Sequence, residues 1–266
     1  MATILVFPDH GSFEAGHDAL EACAIPCEIL QTPDFCRGLI APALIIVGNV
    51  RTAIEGILHR RIPVSGVLPY YPFKKGIPEA PPPDPRWSEI IGSLRVEAVK
   101  PSITDPMRLR AEILPAKPLG ALIPIMARLV KGGAYSPKVP VLALEEGHRL
   151  ICFSPASIAI LRADDLLDIW ILVRTTADFI CTAWHRRLSV KPETHPRQGI
   201  GATEIYRHLP ATDCGACGAM TCMEFATGLL TGRSRVEWCR PLNEETGSEK
   251  REALFWLLRA IGLELG

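Results

Sequence analysis

Short apolar runs and helical repeats alternate over the first 70 residues. Segment 3–7 (Thr-Ile-Leu-Val-Phe) is apolar and stops at Pro8, the pattern of a buried strand. Phe13, His17, Leu20 and Ala24 follow at helical spacing, segments 26–30, 43–47 and 64–68 are further strand-like runs, and 52–59 suits a helix. Strands alternating with helices predict a small α/β layer built on a parallel sheet. Farther on, 94–100 and 108–114 alternate apolar and polar residues, as paired half-buried strands do. Segment 119–130 predicts an amphipathic helix, kinked at Pro124 and stopped by Gly132 and Gly133. Segments 139–145 and 149–153 flank a turn at Glu146-Gly147, and 157–162 adds another strand. Asp164 and Asp165 then open a long helix to about Trp184, with acidic residues at its positive end. This order predicts an α+β unit of ferredoxin-like topology. Leu254, Leu257, Leu258 and Ile261 fall on one face of a last helix, 248–263.

Two breaks divide these patterns. Residues 69–85 hold seven prolines, including Pro81-Pro82-Pro83, and predict an extended linker or wrapping arm. Residues 191–197 are polar, hold two prolines and form a second break. The expected organisation is an α/β domain over 1–80, an α+β domain over 81–190 and a small helical metal-binding module over 191–266.

Composition narrows the function classes. Lysine plus arginine and aspartate plus glutamate each number 29, so no global field favours nucleic acid. The most apolar stretch, 166–184, is interrupted by Asp168, Arg174 and Asp178, which predicts a buried helix and no transmembrane segment. No basic segment leads into an apolar one at the start, so no signal peptide is expected. Nine cysteines is an odd number, which disfavours a disulfide framework and predicts reduced thiols in the cytoplasm.

Four of those cysteines carry the chemistry. Cys214, Cys217, Cys222 and Cys239 are spaced C-x2-C-x4-C-x16-C. Four thiolates can hold a cubane iron–sulfur cluster. Gly215 and Gly218 lack side chains, so the backbone can approach inorganic sulfide and its amides can face sulfur. Thr221-Cys-Met-Glu224 is a capping-box pattern that sets Cys222 on the first turn of a helix running to about Leu230, with Gly232 as its stop. There the free amides and the helix dipole favour a thiolate. Phe225 and Leu229 are expected over the cage, and Arg233, Arg235 and Arg240 beside the last cysteine. Structural zinc needs the same four ligands. Zinc ribbons more often use two C-x2-C pairs, however, and the second pair is missing here.

The residues Leu209-Pro210, Thr212-Asp213-Cys214-Gly215-x-Cys217-Gly218, Thr221-Cys222-Met223-x-Phe225-Ala226 and Cys239-x-Pro241 resemble the four-cysteine [4Fe–4S] domain of the corrinoid iron–sulfur protein large subunit, the γ subunit of acetyl-CoA decarbonylase/synthase. A similar motif occurs in the B subunit of Rnf-type electron-transport complexes. The resemblance covers residues 205–242. It implies a low-potential [4Fe–4S] cluster in an anaerobe, with Cys214, Cys217, Cys222 and Cys239 as ligands. In the corrinoid protein a large barrel follows this domain; no barrel-sized segment follows it within these 266 residues, so corrinoid binding is not carried over.

The leading expectation is therefore an electron-transfer protein serving a redox partner, with corrinoid or one-carbon metabolism as the setting by resemblance and no catalytic set of its own. An alternative is a cofactor assembly, activation or redox-sensing factor whose α/β domain holds a ligand near Asp9, His10, Glu14 and His17. A third is a zinc-stabilised adaptor. Cys23, Cys27 and Cys36 could contribute to a second metal site, whereas Cys152 and Cys181 sit in apolar runs and should be core.

Overall fold

The computed structural model describes residues 2–73, 76–102, 105–130, 132–197, 201–244 and 247–260, with side chains through residue 258. Ile261, expected on the last helix, lies outside the described residues.

The first sheet comprises β1 (Thr3–Val6), β2 (Cys27–Leu30), β3 (Ala43–Ile46) and β4 (Gly66–Pro69). Helix α1 (His10–Ala22) joins β1 to β2, and α2 (Val50–His59) joins β3 to β4. The strand order is β2-β3-β1-β4, and every neighbouring pair is antiparallel, with Leu5 opposite Leu44 on one side and Val67 on the other. This corrects the expected parallel sheet. β1 and β2 do run in the same direction, but β3 fits between them and pairs antiparallel with both. The result is a split β-α-β arrangement, the ferredoxin-like order of elements, here in the N-terminal part and not in the middle segment where the sequence pattern placed it.

Leu5, Phe7, Leu44 and Ile46 pack under Leu20, Ala53 and Ile57 of the two helices. The approach is close, because a Cβ on Gly16 would stand 2.5 Å from the Phe7 ring. The opposite face, with Ile4, Val6, Ala43, Ile45 and Leu68, enters a larger core. The two central strands, β1 and β3, are buried on both faces and so are continuous apolar runs without alternation.

Helix α3 (Trp87–Ile91) leads into a second sheet of β5 (Leu94–Pro101), β6 (Leu109–Pro115), β7 (Ala134–Ser136), β8 (Val141–Glu146), β9 (Arg149–Phe153) and β10 (Ile158–Ala163). Its order, β5-β6-β10-β9-β8-β7, is a hairpin joined to an antiparallel meander. It contains no split β-α-β unit, so the ferredoxin-like expectation fails for this segment. Helices α4 (Ile123–Leu129) and α5 (Leu166–Arg186) cover one face through Leu142, Ile151, Phe153, Ile158 and Ile160. Pro124 occupies the first turn of α4, where its missing N–H breaks no helical bond, and so it starts the helix instead of kinking it. Asp165 caps α5 by accepting the Asp168 amide at 2.9 Å.

The other face presents Ala143, Leu150, Cys152, Ala159 and Leu161 to the C-terminal segment, namely α6 (Ala202–Tyr206), α7 (Cys222–Leu230), α8 (Arg240–Asn243) and α9 (Ser248–Ala260). Ile205, Phe225, Leu229, Val236, Leu242, Leu254, Leu257 and Leu258 complete that core. The sheet thus forms the floor on which the cysteine segment is built.

Single arginines fasten both proline-containing breaks. Arg174 donates to the carbonyls of Phe35 (2.7 Å), Pro81 (2.6 Å) and Pro82 (3.1 Å), which ties the Pro81-Pro82 stretch of the arm to α5. Arg197 donates to the carbonyls of Val130 (2.9 Å), Gly132 (3.1 Å) and Ala127. Its own backbone exchanges hydrogen bonds with Tyr135. No helix among the described residues is long and apolar enough to cross a membrane.

Candidate metal centre

The cysteine loop owes its shape to unusual backbone angles. Ala211, Asp213, Gly215 and Gly218 all take positive φ, at 57, 46, 69 and 85°. Glycine adopts that region without a Cβ clash, and aspartate tolerates it better than most residues. The Gly218 N–H bonds the Gly215 carbonyl at 3.0 Å and closes the turn that carries Cys217. That amide is therefore engaged within the turn. The Ala216 amide is directed at the Cys214 sulfur and the Leu242 amide at that of Cys239.

A helix start then fixes Cys222. Thr221 is the N-cap of α7 and accepts the Glu224 amide at 3.1 Å. Glu224 in turn accepts the N–H of Met220 at 2.8 Å, one residue before the position a capping box would use. Asp213 accepts the Cys222 N–H at 2.6 Å and ties the loop to the helix. After Leu230 the chain turns back at Gly232 (φ 71°), with the Arg233 and Ser234 amides both bonded to the Gly228 carbonyl. A single turn, Val236–Trp238, delivers Cys239 to the start of α8, where Pro241 occupies the first turn.

All four cysteines line one pocket, together with Thr212, Asp213, Gly215, Phe225 and Arg240. It encloses about 290 Å³ of empty space, part of it open to solvent. Cys214 is exposed and Cys217 half-buried, while Cys222 and Cys239 are only 8 and 5% exposed. Leu229 belongs to the core behind this wall. Hydrogen bonds from the Ala216 amide and the Thr212 hydroxyl hold the Cys214 thiol below its ordinary pKa. Burial pushes the Cys239 thiol up, and the nearby Cys217, Cys222 and Cys214 sulfurs add to the effect. Among the described residues, the group of three or more potential ligand atoms mutually within 4.8 Å is that of His17, Asp18 and Glu21; no three of the four cysteines form such a group.

The remaining sequence candidates are dispersed. Cys36 is buried in the large core, donates to the Trp170 carbonyl at 3.0 Å, and is pushed up to about 12 by burial. Cys27 packs under the helices on the other side of the first sheet and Cys23 is exposed, so the structure does not gather the three around one ion. Cys152 and Cys181 are core residues whose pKa values burial raises to about 12 and 11. Asp9 caps α1 by accepting the Ser12 amide at 2.8 Å and pairs with Arg95 at 2.8 Å, while His10 and Glu14 are exposed. His17 stacks on Phe13 and lies 3.9 Å from Glu21. Sequence reasoning gave Thr212 and Asp213 no role beyond the motif and did not single out Ala216. Asp213 had a local signal, as a short polar residue suited to positive φ just before a cysteine, whereas the Ala216 amide had none.

A family model described as "Putative Fe-S cluster" matches residues 209–241. The acetyl-CoA decarbonylase/synthase complex subunit gamma of Methanopyrus kandleri is 42% identical over 55 residues, 21% of this chain and 12% of that protein. Its Methanocaldococcus jannaschii counterpart is 36% identical over 59 residues, 22% of this chain and 12% of that protein. The corrinoid/iron-sulfur protein large subunit of Moorella thermoacetica is 39% identical over 51 residues, 19% of this chain and 10% of that protein. The chain thus spans about an eighth or less of these relatives. No solved structure matches it. Over residues 209–241 the chain is similar to this iron–sulfur cluster family, and the matched stretch of these subunits covers the same cysteine segment.

Proposed function

We propose that Cys214, Cys217, Cys222 and Cys239 ligate one [4Fe–4S] cluster, and that the protein passes electrons to or from a partner redox protein in anaerobic one-carbon metabolism. The convergence of four distant thiols on one pocket carries this reading. A tetrahedral zinc, with Zn–S of about 2.3 Å, would need its sulfurs about 3.8 Å apart. No three of these sulfurs come within 4.8 Å of one another, a wider spacing than one zinc requires of its ligands. Soft thiolate donors and a tight turn with positive-φ glycines fit the same group. Such a cluster supplies one-electron chemistry when bound.

The chain's own residues have definite parts in this proposal. The Ala216 amide and Thr212 hydroxyl favour the thiolate of Cys214. Phe225 and the core behind it keep water from the inner cysteines. Exposed Cys214 marks the edge where electrons would cross to a partner. Four protein thiolates fill the ligand set, so the centre serves electron transfer rather than substrate binding. The one-carbon, corrinoid-linked setting and the protein partner rest on the names of the relatives, which are subunits of larger assemblies.

Iron and sulfide analysis of anaerobically purified protein, with electron paramagnetic resonance after reduction, tests the reading. Four irons per chain and their loss in Cys217→Ser support it. Colourless, zinc-loaded protein from an iron-replete preparation overturns it.

A further inference from the structure

A second cleft, unconnected with the four cysteines, encloses about 950 Å³ of space, part of it open to solvent. Three parts of the chain build it: the loop before β4, strands β5 and β6, and the terminal helix α9. Strand β5 bulges there. Val96 pairs with Ile113 and Ala98 with Glu112, so Glu97 is the extra residue, and it lines the cleft. A bulge of this kind re-aims a side chain out of the regular pleat.

Arg110 of β6 is the unusual group. It is 7% exposed, and its Nε is buried without an acceptor. Among the described residues the guanidinium makes no hydrogen bond. Its contacts are the Trp256 ring, 5.5 Å away, and Glu252 at 3.8 Å, beyond hydrogen-bond reach. Glu252 is held by Lys100 at 2.6 Å, and the Glu112 carboxylate accepts the Trp256 indole N–H at 2.5 Å. A buried guanidinium normally has its donors satisfied, and leaving them without acceptors is costly. Only the Nε is sealed off in this way; the two Nη groups are not, and among the described residues they make no hydrogen bond.

A simple anion would not suit a cleft lined by three carboxylates (Glu97, Glu112 and Glu252) and two cations (Lys100 and Arg110). Arg95, outside the lining, holds one oxygen of Glu97 at 3.2 Å and Lys100 holds one of Glu252, so each of these two carboxylates has its second oxygen left for a cation. A molecule carrying both charges would suit it. We propose that this cleft binds a small zwitterion of the α-amino-acid type, its carboxylate received by Arg110, its ammonium by Glu97 and Glu252, and its apolar side chain lying against Trp256. Bidentate donation to a carboxylate is the geometry a guanidinium favours. The site has no part in holding a cluster, so it stands or falls apart from the electron-transfer reading.

Calorimetric titration of the full chain with L-phenylalanine and L-leucine tests it, beside 3-phenylpropionate, which lacks the ammonium, and phenethylamine, which lacks the carboxylate. Saturable binding of at least one amino acid is expected, with at least tenfold weaker binding of the two single-charge analogues. Arg110→Met should abolish binding. Glu97→Gln, at a more exposed position that leaves the fold intact, should weaken amino-acid binding severalfold and leave 3-phenylpropionate unaffected. Absorbance near 400 nm should not change in either variant. The proposal is overturned if neither amino acid binds saturably, if 3-phenylpropionate binds as well as phenylalanine, or if Glu97→Gln binds like the native chain.

Discussion

Asp213 holds Cys222 across nine residues: its Oδ1 accepts the cysteine's backbone N–H at 2.6 Å. One side chain thereby joins the loop that carries two of the cysteines to the helix that carries the third. Asp213→Ala removes the acceptor and places alanine at a φ of 46°. Losing a partly buried partner costs about 1–3 kcal/mol. Urea unfolding should show a drop of that size, with faster iron loss. Asp213→Asn keeps an acceptor and tolerates the backbone angle, and should fall between. Equal behaviour of both variants would refute the role given to this contact.

Thiol reactivity should separate the outer cysteine from the inner one. In metal-free protein Cys214 has a lowered pKa and Cys239 a raised one. The thiolate is the nucleophile, so as pH falls Cys239 should lose reactivity before Cys214 does. Timed iodoacetamide labelling with peptide mass mapping gives the order. Thr212→Val should slow labelling of Cys214 alone, and faster labelling of Cys239 than of Cys214 would contradict the geometry.

Two glycines near the centre should fail for different reasons. A Cβ on Gly218 would meet nothing within 4 Å, but φ is 85°, so Gly218→Ala should cost only the backbone strain of about 1–2 kcal/mol. A Cβ on Gly228 would come within 3.0 Å of the Ser234 side chain, at the turn that returns the chain to Cys239. Gly228→Ala should destabilise more, and Ser234→Gly should restore much of the loss. Thermal unfolding of the three variants checks the ranking.

Arg174 should govern the proline arm. Removing its bonds to Pro81 and Pro82 in Arg174→Met frees the strap while the α5 core remains. Brief chymotrypsin digestion should then cut at Tyr71 and Phe73 at least several times faster than in the native chain. An unchanged digestion pattern would show that the arm is held by other means.

The local chemistry of the cysteine segment was legible because it is local. Thr221 caps its helix as the spacing predicts, since N-cap and N3 are three residues apart on one turn. Glu224 reaches Met220 instead of Thr221 because the preceding loop, rolled by Asp213 and Gly215, brings that amide nearer. Gly218 was expected to face sulfur, yet its amide closes a turn, a choice that depends on where the Gly215 carbonyl points. The strand runs were found, but their partners were not. Leu5 and Leu44 sit 39 positions apart, and nothing in either run shows that β3 enters between β1 and β2. Arg110 looked like one polar residue in an alternating strand, and only the arrival of α9 over it left its Nε buried without an acceptor.

By itself the sequence determined the thiol spacing, the capping threonine, the positive-φ glycines and the apolar periodicities, because each acts through bonds or contacts within a few residues. Tertiary structure alone decided strand order and direction, the collapse of the proline arm onto α5, the meeting of Cys239 with the other three cysteines, and the cleft between β5, β6 and α9. Those depend on loop closure over tens of residues and on which apolar faces find one another, and the free energy of such contacts appears only when the chain has folded.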